Sequence, residues 1–285
     1  MIKKRRNIHI IPSLGYGGAE SFLLRLIPHL DNENIVITLY HTKYDKERIR
    51  NINLSYLTLD PYKTSYKDIF LFIKLLFSLN KGDIIFTWLY ISDLIGSLIK
   101  IIFFWKNFKL IWNIRNSIID RKQYSIYAYL SFNLLRKFFM FIPHRIIFNS
   151  DRAMHEHIEK GYSRSKSIVI FNGFESLSKI KNPKNNSKTF EIIYVARYHK
   201  QKNYSLLISS ISEFKKIYKE PFNLHLVGKN IDLKNKDLNQ SLVKFNLLEN
   251  VILHGLISPK EVHDLFSVSD ITLLLSSYGE AFPNV

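Results

Sequence analysis

No cysteine occurs among the 285 residues. A disulfide framework, a thiolate metal site and a cysteine nucleophile are therefore excluded. This agrees with a reducing cytoplasm and is compatible with any compartment. Acidic residues are scarce, 24 Asp and Glu against 41 Lys and Arg, giving a formal charge of +17. No apolar run spans a bilayer. Ile69–Leu79 is too short, and Leu94–Trp112 and Ile126–Ile142 are broken by Lys100, Lys106, Lys109, Arg136 and Lys137. Nor does the start read as a signal peptide. Lys3, Lys4, Arg5 and Arg6 precede an apolar run of only Ile8–Ile11, which meets Pro12 and Gly15. That run reads as a strand of the mature protein. There is no Gly-x-x-x-x-Gly-Lys-Ser/Thr loop, which argues against a P-loop kinase or ATPase, and no His-Glu-x-x-His. His155 and His157 are two apart and face different ways on a helix, so no metal site is expected.

What is present is globular. Hydrophobic residues make up 46% of the chain and aromatics 14%, which excludes a disordered protein. The length suits one large domain or two ordinary ones. The basic excess is uneven: residues 1–150 carry 22 Lys/Arg and 10 Asp/Glu, a balance of +12, against 19 and 14 in residues 151–285, a balance of +5. Such a half suits an acidic partner, whether nucleic acid, anionic lipid or phosphorylated substrate, or reflects a biased genome.

Short apolar runs alternate with amphipathic stretches. Strands are expected at Ile8–Ile11, Ile35–Tyr40, Ile84–Thr87, Lys109–Ile114, Arg145–Phe148 and Ser167–Phe171, with helices at Glu20–Leu30, Tyr66–Leu79 and Ser92–Phe104. The polar stretch Lys179–Lys188 reads as a linker. The alternation then restarts with strands at Glu191–Ala196, Asn223–Val227, Val251–His254 and Ile271–Leu275, and helices at Ser205–Tyr218, Leu238–Leu247 and Pro259–Val268. This is an α/β pattern whose near-continuous apolar strands suit parallel sheets covered on both faces. Two runs of it predict two Rossmann-like domains facing a cleft, 1–175 and 176–285.

Three segments could carry chemistry. Gly15-Tyr16-Gly17-Gly18-Ala19-Glu20 follows the first strand and opens a helix. Its glycines let backbone N–H groups approach an anion at a helix N-terminus; a plain βα turn is the alternative. Glu20 stands where a dinucleotide fingerprint needs Gly or Ala, and the second strand ends at Tyr40-His41 rather than an acid, so a dehydrogenase is disfavoured. Arg197 and Lys202, after the first strand of the second half, can neutralise a diphosphate, unless the loop is merely solvated. Glu280, beyond the strand Ile271–Leu275, can accept hydrogen bonds from sugar hydroxyls, or complement a helix dipole. Asn172-Gly173-Phe174-Glu175 reads as a turn near the domain junction.

In this order the motifs resemble retaining nucleotide-sugar glycosyltransferases of family four, of GT-B architecture. The resemblance rests on Gly17-Gly18-Ala19-Glu20, Ile147-Phe148-Asn149-Ser150, Asn172-Gly173-Phe174-Glu175, Val195-Ala196-Arg197 with Lys202-Asn203, Leu226-Val227-Gly228, Leu253-His254-Gly255-Leu256 and Glu280-Ala281-Phe282-Pro283-Asn284. It implies that Arg197, Lys202 and Glu280 are catalytic, that Gly17, Gly18, Gly228, Phe282, Pro283 and Asn284 bind the donor, and that no metal or cofactor is needed. Trp88, Tyr90, Asp93 and Arg115 would line the acceptor side; Arg115 takes the place where many relatives carry His. The second Glu of the family's acidic motif would fall beyond Val285, so the second domain is expected to be incomplete at its C-terminus. The expected reaction moves a sugar from a nucleotide sugar, in the first place a UDP-sugar, to a lipid-linked or polysaccharide acceptor, at the inner face of an anionic membrane. Phe103, Phe104, Trp105, Phe138 and Phe139 beside basic residues suit that docking. The alternative is a remnant that folds without binding donor productively. A nucleic-acid partner has charge alone in its favour and no recognition motif.

Overall fold

The computed structural model describes residues 5–15, 17–42, 45–117, 121, 124–173, 189–278 and 280–282. They fall into two compact units. One holds the described residues up to 173 together with 280–282; the other holds 189–278.

The first unit runs β1 (Arg6–Ile11), α1 (Gly18–Leu26), β2 (Glu33–Thr38), α2 (Asp45–Ile49), β3 (Ser55–Thr58), α3 (Tyr66–Ser78), β4 (Ile84–Trp88), α4 (Tyr90–Ile102), β5 (Lys109–Ile114), α5 (Ile126–Leu134), β6 (Arg145–Phe148), α6 (Asp151–Glu159) and β7 (Ser167–Val169). All strands are parallel, in the order β3-β2-β1-β4-β5-β6-β7. One face of the sheet packs Ile8, Ile10, Ile37, Leu110, Trp112 and Phe148 into a core with Leu75, Ile99 and Phe132 from the helices. The other packs Ile11, Val36 and Trp88 against Phe22 and Leu23 of α1. Burial on both faces is why most positions of these strands are apolar; among the polar exceptions, Asn7, His9 and Asn34 are buried and bonded to one another.

Local sequence starts several helices. Ser65 and Asp68 form a capping box on α3: the Asp68 amide donates to Ser65 Oγ at 3.1 Å and the Ser65 amide to Asp68 Oδ2 at 3.0 Å. Ser150 caps α6 by accepting from the Ala153 amide at 3.2 Å.

The second unit runs β8 (Phe190–Val195), α7 (Tyr204–Ile217), β9 (Phe222–Val227), α8 (Lys236–Lys244), β10 (Val251–Gly255), α9 (Pro259–Val268) and β11 (Ile271–Thr272). Its parallel sheet has the order β10-β9-β8-β11. Ile192, Tyr194, Leu224 and Leu226 form its core with Leu207, Ile211, Leu238 and Leu242.

The α/β class and the parallel sheets are as the sequence pattern led one to expect. The elements α2, β3, α5 and α6 are additions: α2 and β3 are too short to carry a useful apolar period, α5 lies in a stretch apolar nearly all round, and α6 is mostly polar. The last strand covers two residues, not the five of Ile271–Leu275.

Candidate functional site

In each sheet the strand order reverses once, between β1 and β4 in the first unit and between β8 and β11 in the second. Loops leave such a point in opposite directions and open a crevice at the C-terminal ends of the strands, where ligands of open α/β sheets bind.

In the second unit this edge carries the basic pair. Arg197, exposed, is the second residue after β8. Its strand end is fastened by Tyr204, whose hydroxyl donates to the Ala196 carbonyl at 2.6 Å. Lys202 ends a 3-10 turn, Lys200–Lys202, and its Nζ donates to Ser276 Oγ at 3.0 Å. Gln201 joins the same two loops: its Nε2 donates to the Tyr278 carbonyl at 2.9 Å, and its own carbonyl accepts from the Ser277 amide at 2.9 Å. His199 is held below its usual pKa first by burial, then by the charges of Arg197 and Lys202. Three basic side chains, Arg197, His199 and Lys202, thus share this edge, and their mutual repulsion disfavours a proton on His199.

Gly228 follows β9 with φ of +146°, and a Cβ there would lie 2.6 Å from the Ala196 carbonyl carbon and 2.9 Å from the Arg197 nitrogen. A side chain at 228 would push the backbone that carries Arg197. Its amide donates to the Gly255 carbonyl at 2.7 Å, so the three strand ends are tied in a row.

In the first unit Gly17 is the N-cap of α1. A Cβ on it would come within 2.8 Å of Glu20 Cδ, so the Glu20 carboxyl group occupies the space that the missing side chain leaves. Gly18 is exposed at the first helical position. Across the reversal, Leu89 joins β4 to α4 with φ of +69°, a strained conformation for a residue with a Cβ. Leucine carries no sequence signal for such a turn.

Arg115 follows β5. Its guanidinium lies 4.3 Å from the Phe22 ring centre and 5.0 Å from that of Trp88. Nη1 donates to Asn172 Oδ1 at 2.5 Å and Nη2 to Asn113 Oδ1 at 3.3 Å, while Nε is buried without a partner. Burial pulls its pKa down to about 10. Every partner is neutral, so the charge remains uncompensated among its contacts.

The other three residues expected on the acceptor side are interior. Trp88, Tyr90 and Asp93 are 0%, 2% and 0% exposed. Trp88 packs under α1, and Tyr90 donates to or accepts from His157 Nε2 at 2.6 Å. Asp93 Oδ1 accepts from the Thr87 hydroxyl at 2.5 Å, its Oδ2 has no partner, and burial raises its pKa well above the carboxylate range. These side chains are core and present no surface to an acceptor. A residue at a strand end can point in or out, and the local sequence does not say which.

Glu280 is half-buried and groups with the first unit, as does Ala281, which packs on that unit's core; the Phe282 ring lies 6.1 Å from Phe171. Pro283 and Asn284 lie outside the described residues. Among the described residues no group of three or more His, Cys, Asp and Glu is arranged around a metal position.

One surface of the first unit is unusually apolar. α3 reads Ile-Phe-Leu-Phe-Ile-Lys-Leu-Leu-Phe over Ile69–Phe77, yet only Leu75 is buried in it. Phe70 and Phe77 are 65% and 62% exposed, and Phe104, Trp105, Phe138 and Phe141, further along the chain of the same unit, are exposed as well. Phe103, expected on this surface, belongs to the core, and Phe139 is half-buried against it. Residues 94–150 carry nine Lys/Arg and one Asp, so the charge available there is positive. Among the described residues no helix is long and apolar enough to cross a membrane.

Two family models match the chain: Glycosyltransferase Family 4 over residues 16–176, and Glycosyl transferases group 1 over residues 176–285. An uncharacterized 41.2 kDa protein in the cps region of Klebsiella pneumoniae is 27% identical over 236 residues, 77% of this chain and 60% of that protein. The chain thus spans about three fifths of that relative's length. Among solved structures, Anabaena Alr3699/HepE in complex with UDP and glucose superposes with a TM-score of 0.73 at 19% identity, covering 97% of this chain and 76% of that one. The sucrose-phosphate synthase of Thermosynechococcus elongatus gives 0.73 at 14% identity, covering 98% and 77%. The apo lipopolysaccharide outer core galactosyltransferase WaaB gives 0.66 at 17%, covering 98% and 76%. At these identities the likeness is one of fold, the GT-B fold.

Proposed function

Because the chain belongs to glycosyltransferase family 4, we propose that it transfers a sugar from a nucleotide sugar, a UDP-sugar in the first place, to a lipid-linked or polysaccharide acceptor in the synthesis of a cell-surface glycan such as capsule, O-antigen or lipopolysaccharide. The observation that carries this reading is the pairing of Arg197 and Lys202 at the strand reversal of the second unit, with Lys202 Nζ held at Ser276. Two cations there, one of them tethered, suit a diphosphate better than a neutral ligand. The UDP in the Anabaena structure and the cps-region origin of the Klebsiella relative support the donor and the glycan.

Breaking the bond between the anomeric carbon and the terminal phosphate oxygen leaves its electron pair on that oxygen, so one further unit of negative charge grows on the departing diphosphate. In the proposed mechanism Arg197 and Lys202 take up that charge as it develops, and the amides of Gly17 and Gly18 add N–H donors at a helix N-terminus. Preset cations can do this without a metal. Gly228 keeps the Arg197 backbone in place and leaves room for the ligand. Glu280 holds the donor sugar. The acceptor hydroxyl attacks from the face that the diphosphate leaves, and the anomeric configuration is retained. Arg115, a charge with only neutral partners, is assigned to a phosphate of the acceptor or donor.

The membrane belongs to the same proposal. Exposed Phe70, Phe77, Phe104, Trp105 and Phe138, flanked by lysines, suit the headgroup region of an anionic bilayer at the inner face, where lipid-linked acceptors reside.

Calorimetric titration with UDP, GDP and their sugar conjugates tests the donor reading. Saturable binding of one nucleotide, abolished in Arg197→Ala and in Lys202→Ala, is the expected result. A folded protein that binds none of them would sink the reading.

A further inference from the structure

The glycine-rich loop after β1 is gripped from behind by a side chain distant in sequence. Arg48, in α2, donates from Nη1 to the Leu14 carbonyl at 2.9 Å and to the Gly15 carbonyl, and from Nη2 to Ser21 Oγ at 3.0 Å. One guanidinium therefore joins the loop to the first turn of α1. The planar fork of arginine suits several acceptors at once, whereas a lysine ammonium would reach fewer of them in register.

The helix that carries Arg48 is itself pinned. Asp45 is fully buried and accepts from the Thr42 amide at 3.0 Å, the Thr42 hydroxyl and the Tyr56 hydroxyl at 2.7 Å; His41 Nδ1 lies 3.1 Å away. The Tyr56 oxygen is also 2.9 Å from Thr38 Oγ1 at the end of β2. A five-residue helix has little stability of its own. Here a buried carboxylate anchors it to β2 and β3, so Arg48 is presented in one place.

A trans peptide carries its C=O and N–H on opposite sides. Holding the Leu14 carbonyl toward Arg48 turns the Gly15 N–H away from it. The positive group behind the loop draws the Leu14 and Gly15 carbonyls to one side and leaves the Gly15 amide hydrogen on the other, where an anion can be met. Glycines alone would permit that shape among many others, at a cost in chain entropy when the anion arrives. A loop set beforehand avoids that cost during reaction.

We infer that Arg48 is a positioning residue that sets the backbone at Leu14 and Gly15, and its junction with the first turn of α1 at Ser21, in the shape that a phosphate contact needs. The inference rests on the reading of this loop as a phosphate contact. Two measurements on Arg48→Met and Arg48→Lys, made on the whole chain, separate the possibilities. The first is hydrogen–deuterium exchange of the peptide spanning the loop, with the unfolding midpoint as a control for global damage. Exchange at least tenfold faster in Arg48→Met, confined to that peptide and with partial protection in Arg48→Lys, is expected. Unchanged exchange in the loop overturns the inference, whatever the protein does with nucleotides. The second is steady-state kinetics with the nucleotide sugar that the titration identifies. A fall in kcat/KM for donor of at least tenfold, with the acceptor KM within twofold, is expected. Faster exchange with unchanged kinetics shows a purely structural tie and overturns the functional claim. Wild-type protein that binds no nucleotide sinks the donor reading instead, and the exchange result still decides whether Arg48 sets the loop.

Discussion

The hydroxyl of Tyr90 and the imidazole of His157 meet inside the first unit, Oη 2.6 Å from Nε2, while Nδ1 of the same ring lies 2.7 Å from the Ala153 carbonyl. A carbonyl accepts only, so Nδ1 carries the hydrogen and Nε2 accepts from Tyr90. The ring is neutral, and a second proton would have to be held in a buried site that disfavours its charge.

Acid should therefore destabilise this unit. Burial lowers the His157 pKa from 6.5 to about 4. A depressed pKa means that the unfolded chain binds the proton first. The stabilisation is complete above about pH 6.5 and is lost as pH falls toward 4. Between pH 7.5 and 5 the loss from this one residue is about 2 kcal/mol. His9, also buried and also lowered to about 4, adds a similar amount. Urea denaturation at the two pH values measures the loss, and His157→Gln should reduce the difference. An identical pH dependence in that variant would contradict the account.

Asp93 has the opposite sign. Burial raises its pKa, so the folded chain keeps the proton that the unfolded chain gives up. The stabilisation it contributes is complete only below its unfolded pKa and is lost as pH rises through the folded one. Asp93→Asn retains an oxygen for the Thr87 hydroxyl and has no charge to bury. The variant is expected to melt higher than the parent at pH 8 and with little difference at pH 3.5. A lower melting temperature at pH 8 would show that the carboxyl has an ionised role.

Arg197→Ala and Lys202→Ala should each lower kcat by roughly 100-fold or more, the scale seen when one transition-state donor is removed. Ser276→Ala leaves both charges and loosens only Lys202, so its effect should be much smaller. Initial rates with saturating donor and acceptor provide the comparison. Equal losses in Ser276→Ala and Lys202→Ala would mean that placement, not charge, dominates.

Gly228→Ala tests the strand-end packing. The new methyl group would meet the Ala196 carbonyl carbon and the Arg197 nitrogen, at a φ that L residues avoid. A cost on the order of 1–3 kcal/mol is expected, together with weaker donor binding, because the displaced backbone carries Arg197. Chemical denaturation and nucleotide titration read the two effects separately.

Membrane docking can be checked by flotation with vesicles of neutral lipid, with and without a third of anionic lipid. Binding is expected only to the anionic vesicles, to weaken in 0.5 M salt, and to fall strongly in Phe70→Ser/Phe77→Ser. Those residues are exposed, so the melting temperature should not change. Self-association in place of vesicle binding would assign the apolar face to a second copy of the chain.

The sequence by itself determined the two sheets and most of their strands. A parallel strand covered on both faces needs an unbroken apolar run, and runs such as Lys109–Ile114 and Arg145–Phe148 are visible without any tertiary information. It also put Arg197 and Lys202 beyond the end of β8, since residues that follow parallel strands gather at one edge of the sheet, whereas Gly228 was named only through the resemblance to a family. Tertiary structure decided what depends on direction and on distant partners. Trp88, Tyr90 and Asp93 stand at a strand end that turns inward, because Leu89 bends the chain there. Arg48 reaches Leu14 only because α2 is anchored through Asp45 to Tyr56. Such contacts join residues far apart along the chain, and no local periodicity encodes them.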